Sequence, residues 1–325
     1  MKTTTLGRSG LRVSRIAFGT WQLGGEWGHF DEDGAVAAIR RARELGVNFF
    51  DTAQGYGFGA SEQILGKALR HELTTERDAV VIATKGGLRK TDRGLVRDAS
   101  PQWLRRGVDA SLTALGVDHI DLYQVHWPDP TVPAAETAGA LRDLITEGKI
   151  GHVGVSNYNT AQMEEFSATL AVETLQPPYH LFRREIEDEI LPYCCAHDIG
   201  VLVYGPLAHG LLTGTLNAHN RFDDDDWRSA NAAFRGATFR HNLATVRALE
   251  IFAATLDISV SQLAIAWTLA NPAVHVAIVG ARQPGHVEDS LRAADVSLTD
   301  ADLDELDELM TSATPVGGPS PEGMP

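Results

Sequence analysis

Asp51, Tyr56, Lys85 and His126 are four residue types that together can move a proton. Three of them end apolar runs. Asn48-Phe49-Phe50 leads to Asp51, Val80-Val81-Ile82-Ala83-Thr84 to Lys85, and Asp121-Leu122-Tyr123-Gln124-Val125 to His126. Tyr56 follows shortly after Asp51. A free phenol, with a pKa of about 10, is a poor acid near neutrality. A lysine ammonium about 4 Å away favours the phenolate by roughly 4 kcal/mol at an effective dielectric of 20, before desolvation is counted. Lys85 suits that role, Asp51 would hold it charged and in place, and His126 would orient a substrate oxygen. Singly, each residue is equally well read as a packed or strand-end polar group. The grouping of three ionisable residues at three buried strand ends points to proton delivery onto a carbonyl oxygen.

For these groups to meet, the runs must be parallel strands of one sheet. Strand-like runs are read at Ile16–Trp21, Asn48–Ala53, Ala79–Lys85, Ile120–His126, His152–Asn157, Thr174–Tyr179, Val201–Pro206 and Val274–Gly280. They are continuous apolar stretches, as expected of strands buried on both faces. Between them lie segments of helical period: Asp33–Leu45, Ser61–Arg70, Pro101–Leu115, Pro133–Glu147, Thr160–Ala168, Arg184–His197, Leu243–Leu256, Val260–Ala270 and Pro284–Ala293. Ser100 before Pro101 has the form of an N-cap with proline at the first helical position. Repeated βα units give a doubly wound sheet or a closed barrel, and a count of eight favours a (β/α)8 TIM barrel. Thr3–Leu6 and Arg12–Val13 read as an N-terminal β-hairpin plugging its bottom, and Asp300–Met310 as an extra C-terminal helix. The expected organisation is a single barrel domain over residues 1–312 and an irregular tail over 313–325.

Composition narrows the function. Forty-three acidic residues against 28 basic give a formal net charge of −15, which disfavours nucleic acid and anionic membranes as partners. The adjacent Cys194 and Cys195 provide no disulfide framework. No run of about 18 apolar residues marks a membrane span, and Met1-Lys2-Thr3-Thr4-Thr5 lacks the apolar stretch of a signal peptide, so a cytoplasmic location is expected. No histidine pair has a zinc spacing, and the acidic run Asp223–Asp226 reads as a solvated loop, so no metal is expected.

The sequence resembles the aldo-keto reductase family over roughly residues 3–310. The resemblance lies in Gly46-Val47-Asn48-Phe49-Phe50-Asp51-Thr52-Ala53, Tyr56-Gly57, Ser61-Glu62, Leu65-Gly66, Ile82-Ala83-Thr84-Lys85 and Asp121–Trp127. It continues in Gly151–Asn157, Leu175–Tyr179, Tyr204-Gly205-Pro206-Leu207-Ala208, Gly210, Leu212-Thr213-Gly214 and Val279-Gly280-Ala281-Arg282. It implies a (β/α)8 barrel and reversible NADPH-dependent reduction of aldehydes or ketones, with NAD(H) as the alternative cofactor. Tyr56 would be the general acid, completed by Asp51, Lys85 and His126. Ser156, Asn157 and Gln176 would hold the nicotinamide amide, and its ring would stack on Tyr204.

Pro206, Leu207, Gly210 and Leu212 fall in or beside a glycine-containing segment suited to the pyrophosphate. Gly280, Arg282, His286 and Ser290 complete the expected cofactor set, with Arg282 placed for a 2′-phosphate. The family segment often reads Glu-Gln and Glu-Asn where Gly285-His286 and Asp289-Ser290 stand here. Trp21, Trp27, Phe58 and Trp127 are expected to wall the pocket for a small-molecule carbonyl substrate. The insertion Thr215–Arg240, with Phe222, Trp227 and Phe234, is expected to be a lid that is mobile without cofactor. A second reading stays open. Potassium-channel β subunits also resemble this family, so the barrel would serve equally as a nicotinamide-binding regulatory or redox-sensing subunit.

Overall fold

The apolar runs become strands that pair edge to edge into a closed ring. The computed structural model describes residues 1–323 apart from Glu26, His29, Arg93, Asp224 and Asp225. An antiparallel hairpin, β1 (Thr3–Thr5) and β2 (Arg12–Ser14), comes first. Then follow β3 (Ile16–Gly19), β4 (Phe49–Asp51) and β5 (Val81–Gly86). A second hairpin, β6 (Leu88–Thr91) and β7 (Gly94–Arg97), precedes β8 (Ile120–Val125), β9 (Ile150–Ser156), β10 (Thr174–Gln176), β11 (Gly200–Tyr204) and β12 (Val276–Gly280). The barrel order is β3-β4-β5-β8-β9-β10-β11-β12, with all pairings parallel. Closure comes from β12 against β3, with Ala277 opposite Ile16.

Helices α1 (Glu32–Glu44), α2 (Ala60–Ala68), α3 (Arg70–Thr75), α4 (Pro101–Leu115), α5 (Ala134–Thr146), α6 (Thr160–Ser167) and α7 (Ile190–Ala196) succeed the earlier strands. The later ones are α8 (Gly236–Thr255), α9 (Val260–Ala270), α10 (Pro284–Arg292) and α11 (Asp300–Met310). Their boundaries follow local chemistry. The Ser100 hydroxyl accepts from the Trp103 amide to cap α4, and Asn159 with Gln162 and Ser259 with Gln262 form capping boxes on α6 and α9. No single helix among the described residues is long and apolar enough to cross a membrane.

The hairpin β1–β2 does plug the barrel floor. Leu6 and Val13 are fully buried with Ala17, Phe49, Val81, Leu122, Leu202 and Val276 inside the ring. Several expectations are corrected. Strand Thr174–Tyr179 stops at Gln176, because Pro177 and Pro178 have no amide hydrogen for a ladder. The helix expected from Arg184 begins at Ile190, and the one expected from Leu243 begins at Gly236. The segment after β5, for which no strands were read, is a hairpin. Of the acidic run, Asp223 is exposed, but Asp226 is buried and paired with Arg228, so it is not a solvated residue. Asp224 and Asp225 lie outside the described residues, as do Met324 and Pro325 of the tail.

Candidate active site

Asp51 ends β4, Lys85 lies in β5 and His126 follows β8, so three strands deliver them to one mouth of the barrel. Tyr56 arrives on the turn after β4. That turn needs Gly57: its φ is +61°, and a Cβ there would stand 2.6 Å from the Gly24 carbonyl oxygen. The Ser61 hydroxyl anchors the same turn from behind, donating to Thr20 Oγ1 at 2.6 Å.

The sequence-predicted tetrad is assembled. Lys85 Nζ donates to Asp51 Oδ1 at 2.6 Å, to the Thr52 carbonyl at 2.8 Å and to the Tyr56 hydroxyl at 3.4 Å. Gln176 Nε2 donates to the other Asp51 oxygen at 2.9 Å. The rings of Tyr56 and His126 meet edge to face, 5.6 Å between centroids. Lys85 and Asp51 are buried. Burial pushes the Asp51 carboxyl up and the Lys85 ammonium down, and their mutual attraction opposes both shifts. Burial, reinforced by Lys85, drives the His126 imidazole well below its usual range, so it is neutral.

A second cluster sits on the ends of β9, β10 and β11. Ser156 Oγ donates to the Gln176 carbonyl at 2.8 Å, and the Tyr204 hydroxyl donates to Asn157 Oδ1 at 2.9 Å. Asn157 adopts φ +62°, a left-handed conformation its side chain tolerates better than most. Its amide donates to the His126 carbonyl at 3.0 Å, tying this cluster to the tetrad.

Both clusters open on one elongated cavity of about 1390 Å³. Asp51, Tyr56 and His126 line it, as do Ser156, Asn157, Gln176, Tyr204, Pro206, Leu207, Gly210, Gly280, Arg282, His286 and Ser290. Leu212 does not reach the cavity and is fully buried in the core. Trp21, Trp27, Phe58 and Trp127 also line it. The residues present can accommodate a dinucleotide: Ser156, Asn157 and Gln176 offer hydrogen-bonding groups beside the tetrad, and Arg282 with His286 and Ser290 of α10 lines the same cavity.

Several lining residues were not read from the sequence. Arg228 grips Asp226 through Nε and Nη2, at 3.0 and 2.6 Å, and donates to the His209 carbonyl. Its guanidinium lies 4.8 Å over the Trp27 ring centroid. Trp27 and Asp226 form an isolated antiparallel bridge, and Arg282 donates to the Trp27 carbonyl at 2.6 Å. Because β12 lies between β11 and β3, this bridge passes above the end of β12. The only sequence signal was Asp226-Trp227-Arg228, an ion pair flanking an aromatic in an aperiodic stretch. The irregular tail is also involved. Val316 is fully buried, its amide donates to the Phe182 carbonyl, and Gly318, Pro319 and Pro321 line the cavity. Among the described residues, no group of three or more His, Cys, Asp or Glu side chains could hold a metal ion.

Fold and site together define a (β/α)8 barrel that brings Asp51, Tyr56, Lys85 and His126 together at one mouth. The model of the Aldo/keto reductase family matches residues 15–311. The chain is 40% identical to the aldo-keto reductase YhdN of Bacillus subtilis (strain 168), over 98% of this chain and 96% of that protein. It is 33% identical to the NADH-specific methylglyoxal reductase of Escherichia coli (strain K12), over 95% and 98% respectively. Among solved structures it is similar to the glycerol dehydrogenase of Gluconobacter oxydans, with a TM-score of 0.86 and 39% identity over 95% of this chain and 94% of that one. The chain belongs to the aldo/keto reductase family and is an oxidoreductase of that type.

Proposed function

We propose that the protein reduces aldehydes or ketones to alcohols reversibly, with NADP(H) as the preferred cofactor and Tyr56 as general acid. The observation that carries this reading is Lys85 Nζ, placed 2.6 Å from Asp51 and 3.4 Å from the Tyr56 hydroxyl at the edge of a large cavity. Ser156, Asn157, Gln176 and Tyr204 would hold the nicotinamide end of the cofactor. When bound, the cofactor supplies the hydride for the carbonyl carbon. Tyr56 gives its proton to the carbonyl oxygen. Lys85, held by Asp51 and the Thr52 carbonyl, stabilises the phenolate that remains. Neutral His126 orients the substrate oxygen through one hydrogen bond without adding a second cation. In the reverse direction the same phenolate takes the alcohol proton.

The relatives support both directions, since one is named a methylglyoxal reductase and another a glycerol dehydrogenase. Arg282 on the cavity wall supports NADP(H), because a guanidinium pairs with a 2′-phosphate. The complete tetrad, with Tyr56, His126 and Asp51 on the cavity wall and Lys85 buried behind them, favours turnover over a purely sensing role. The test is a panel of aldehydes and ketones with reduced cofactor, followed at the reduced-nicotinamide absorbance band. Many turnovers per protein are expected. Oxidation of no more than one equivalent with every substrate would favour the redox sensor instead.

A further inference from the structure

Arg97 closes the second hairpin, paired across the ladder with Leu88. It does not line the cavity, yet its side chain joins three segments that do. Nε donates to Glu322 Oε1 at 2.7 Å and Nη2 to Oε2 at 3.3 Å, a two-pronged pair with the tail. Nη1 donates to the Pro128 carbonyl at 3.0 Å, and the guanidinium lies 5.1 Å from the Trp127 ring centroid. Trp127, Leu88, Leu95, Pro319 and Pro321 are the apolar cavity residues of these segments, while Lys90, Thr91 and Asp92 line the same cavity from around the hairpin's turn. Phe58 lines the same cavity with 42% of its surface exposed and a φ of +48°. The exposed face of this ring offers apolar surface that an apolar ligand in the cavity would cover.

We propose that Arg97 is a specificity-determining residue that clasps the hairpin, the Trp127 loop and the tail into an apolar wall selecting carbonyl compounds with a bulky apolar group. The proposal rests on the carbonyl-reduction reading and goes beyond it by naming a substrate class. Guanidinium suits the task. Its planar fork takes a carboxylate through two hydrogen bonds while its face rests on an indole, which an ammonium does not reproduce. The guanidinium's hydrogen bonds go to Glu322 and to the Pro128 carbonyl and not to a tetrad side chain, so the clasp acts on substrate fit and not on proton transfer.

The experiment compares wild type with Glu322→Ala, Arg97→Ala, Arg97→Lys and the double variant Arg97→Ala/Glu322→Ala. Two probes are used, 2-naphthaldehyde and propanal, with NADPH. In Glu322→Ala the KM for 2-naphthaldehyde is expected to rise about tenfold, as apolar contact area is lost. The propanal kcat/KM and the NADPH Kd should stay within about twofold of wild type. Arg97→Lys should not restore the wild-type ratio, and the double variant should be no worse than Arg97→Ala. Amide exchange at residues 94–97 and 316–323 should quicken in Glu322→Ala, a readout that needs no turnover. Unchanged exchange, or equal effects on both aldehydes, overturns the clasp. Wild-type protein that reduces neither aldehyde overturns the proposed substrate class, the reductase reading itself being decided by the wider carbonyl panel, while faster exchange in Glu322→Ala would leave the contact itself standing.

Discussion

Lys85 donates to Tyr56 at 3.4 Å with its other hydrogen bonds committed to Asp51 and the Thr52 carbonyl. The ammonium therefore cannot swing away from the phenol without leaving a buried carboxylate unpaired, which typically costs about 3–5 kcal/mol. This fixed relation supports the proposed role of the phenol oxygen as proton donor. Tyr56→Phe keeps the ring contact with His126 and removes the proton. Turnover is expected to fall by about 10² to 10⁴, with NADPH affinity unchanged by fluorescence titration. Near wild-type turnover in this variant would remove Tyr56 from its role.

Cofactor choice is expected to depend on Arg282. Its guanidinium is half-buried and lies near Arg228 and Asp226, on the cavity wall. If it pairs with a 2′-phosphate, Arg282→Ala weakens NADPH by about 10- to 100-fold, the value of a charge-assisted pair, and NADH far less. Isothermal titration with both cofactors decides it. Equal weakening of the two would assign Arg282 to holding the Trp27 loop instead.

The insertion of residues 215–240 bears on cofactor exchange. Trp227 lies over Trp21 with the rings 6.2 Å apart and nearly parallel, and the Trp27–Asp226 bridge spans the end of β12. If the cofactor passes beneath that bridge, as a lid over the site would require, the two loops must part for exchange. Amide exchange across residues 208–240 is expected to slow on NADPH binding, as a lid would. Equal protection with and without NADPH would identify a permanently packed excursion.

Acid should unfold the protein earlier than its carboxylates alone would require. His126, His180 and His209 are buried, and burial lowers each imidazole, His209 to about 3. The unfolded chain, with imidazoles near 6.5, takes up protons that the folded protein refuses. Stability therefore falls as pH drops below about 6.5, by about 1.4 kcal/mol per pH unit for each such histidine. Burial also lowers the half-buried His275, while His152, raised by its hydrogen bond to Glu173, works in the opposite direction, one against four. Chemical denaturation from pH 7 to 5 should show this slope. His209→Gln should flatten it by one histidine's share, and an unchanged slope would show that His209 is not among the groups responsible.

The barrel and the tetrad were legible because their signals are local. Val81-Ile82-Ala83-Thr84 is apolar enough to be a buried strand whatever surrounds it, and Lys85 then has to emerge at its end. The hairpin β6–β7 was not legible. Arg89 and Lys90 are exposed and β7 is half-buried, so no clean alternation marks it. The insertion is held by contacts between distant residues, Trp21 with Trp227 and Arg228 with Trp27, which no window of sequence contains. The same holds for the tail, where Val316 finds the Phe182 carbonyl. Leu212 shows the opposite failure: a motif position carried over as a cofactor contact is occupied by a core side chain.

Barrel closure through β3 and β12 has a consequence for how the chain is made. Arg15 donates to the carbonyl of His275, 260 positions later, and Ala277 pairs with Ile16. While the chain emerges, the Ile16-Ala17-Phe18 edge has no neighbour on that side until almost all of it has been synthesised. An unpaired apolar strand edge is a template for pairing with other chains. The vulnerable interval thus runs from the emergence of β3 until β12 is made, and expression at lower temperature or with a holdase chaperone should raise the yield of folded protein more than any change to the finished barrel.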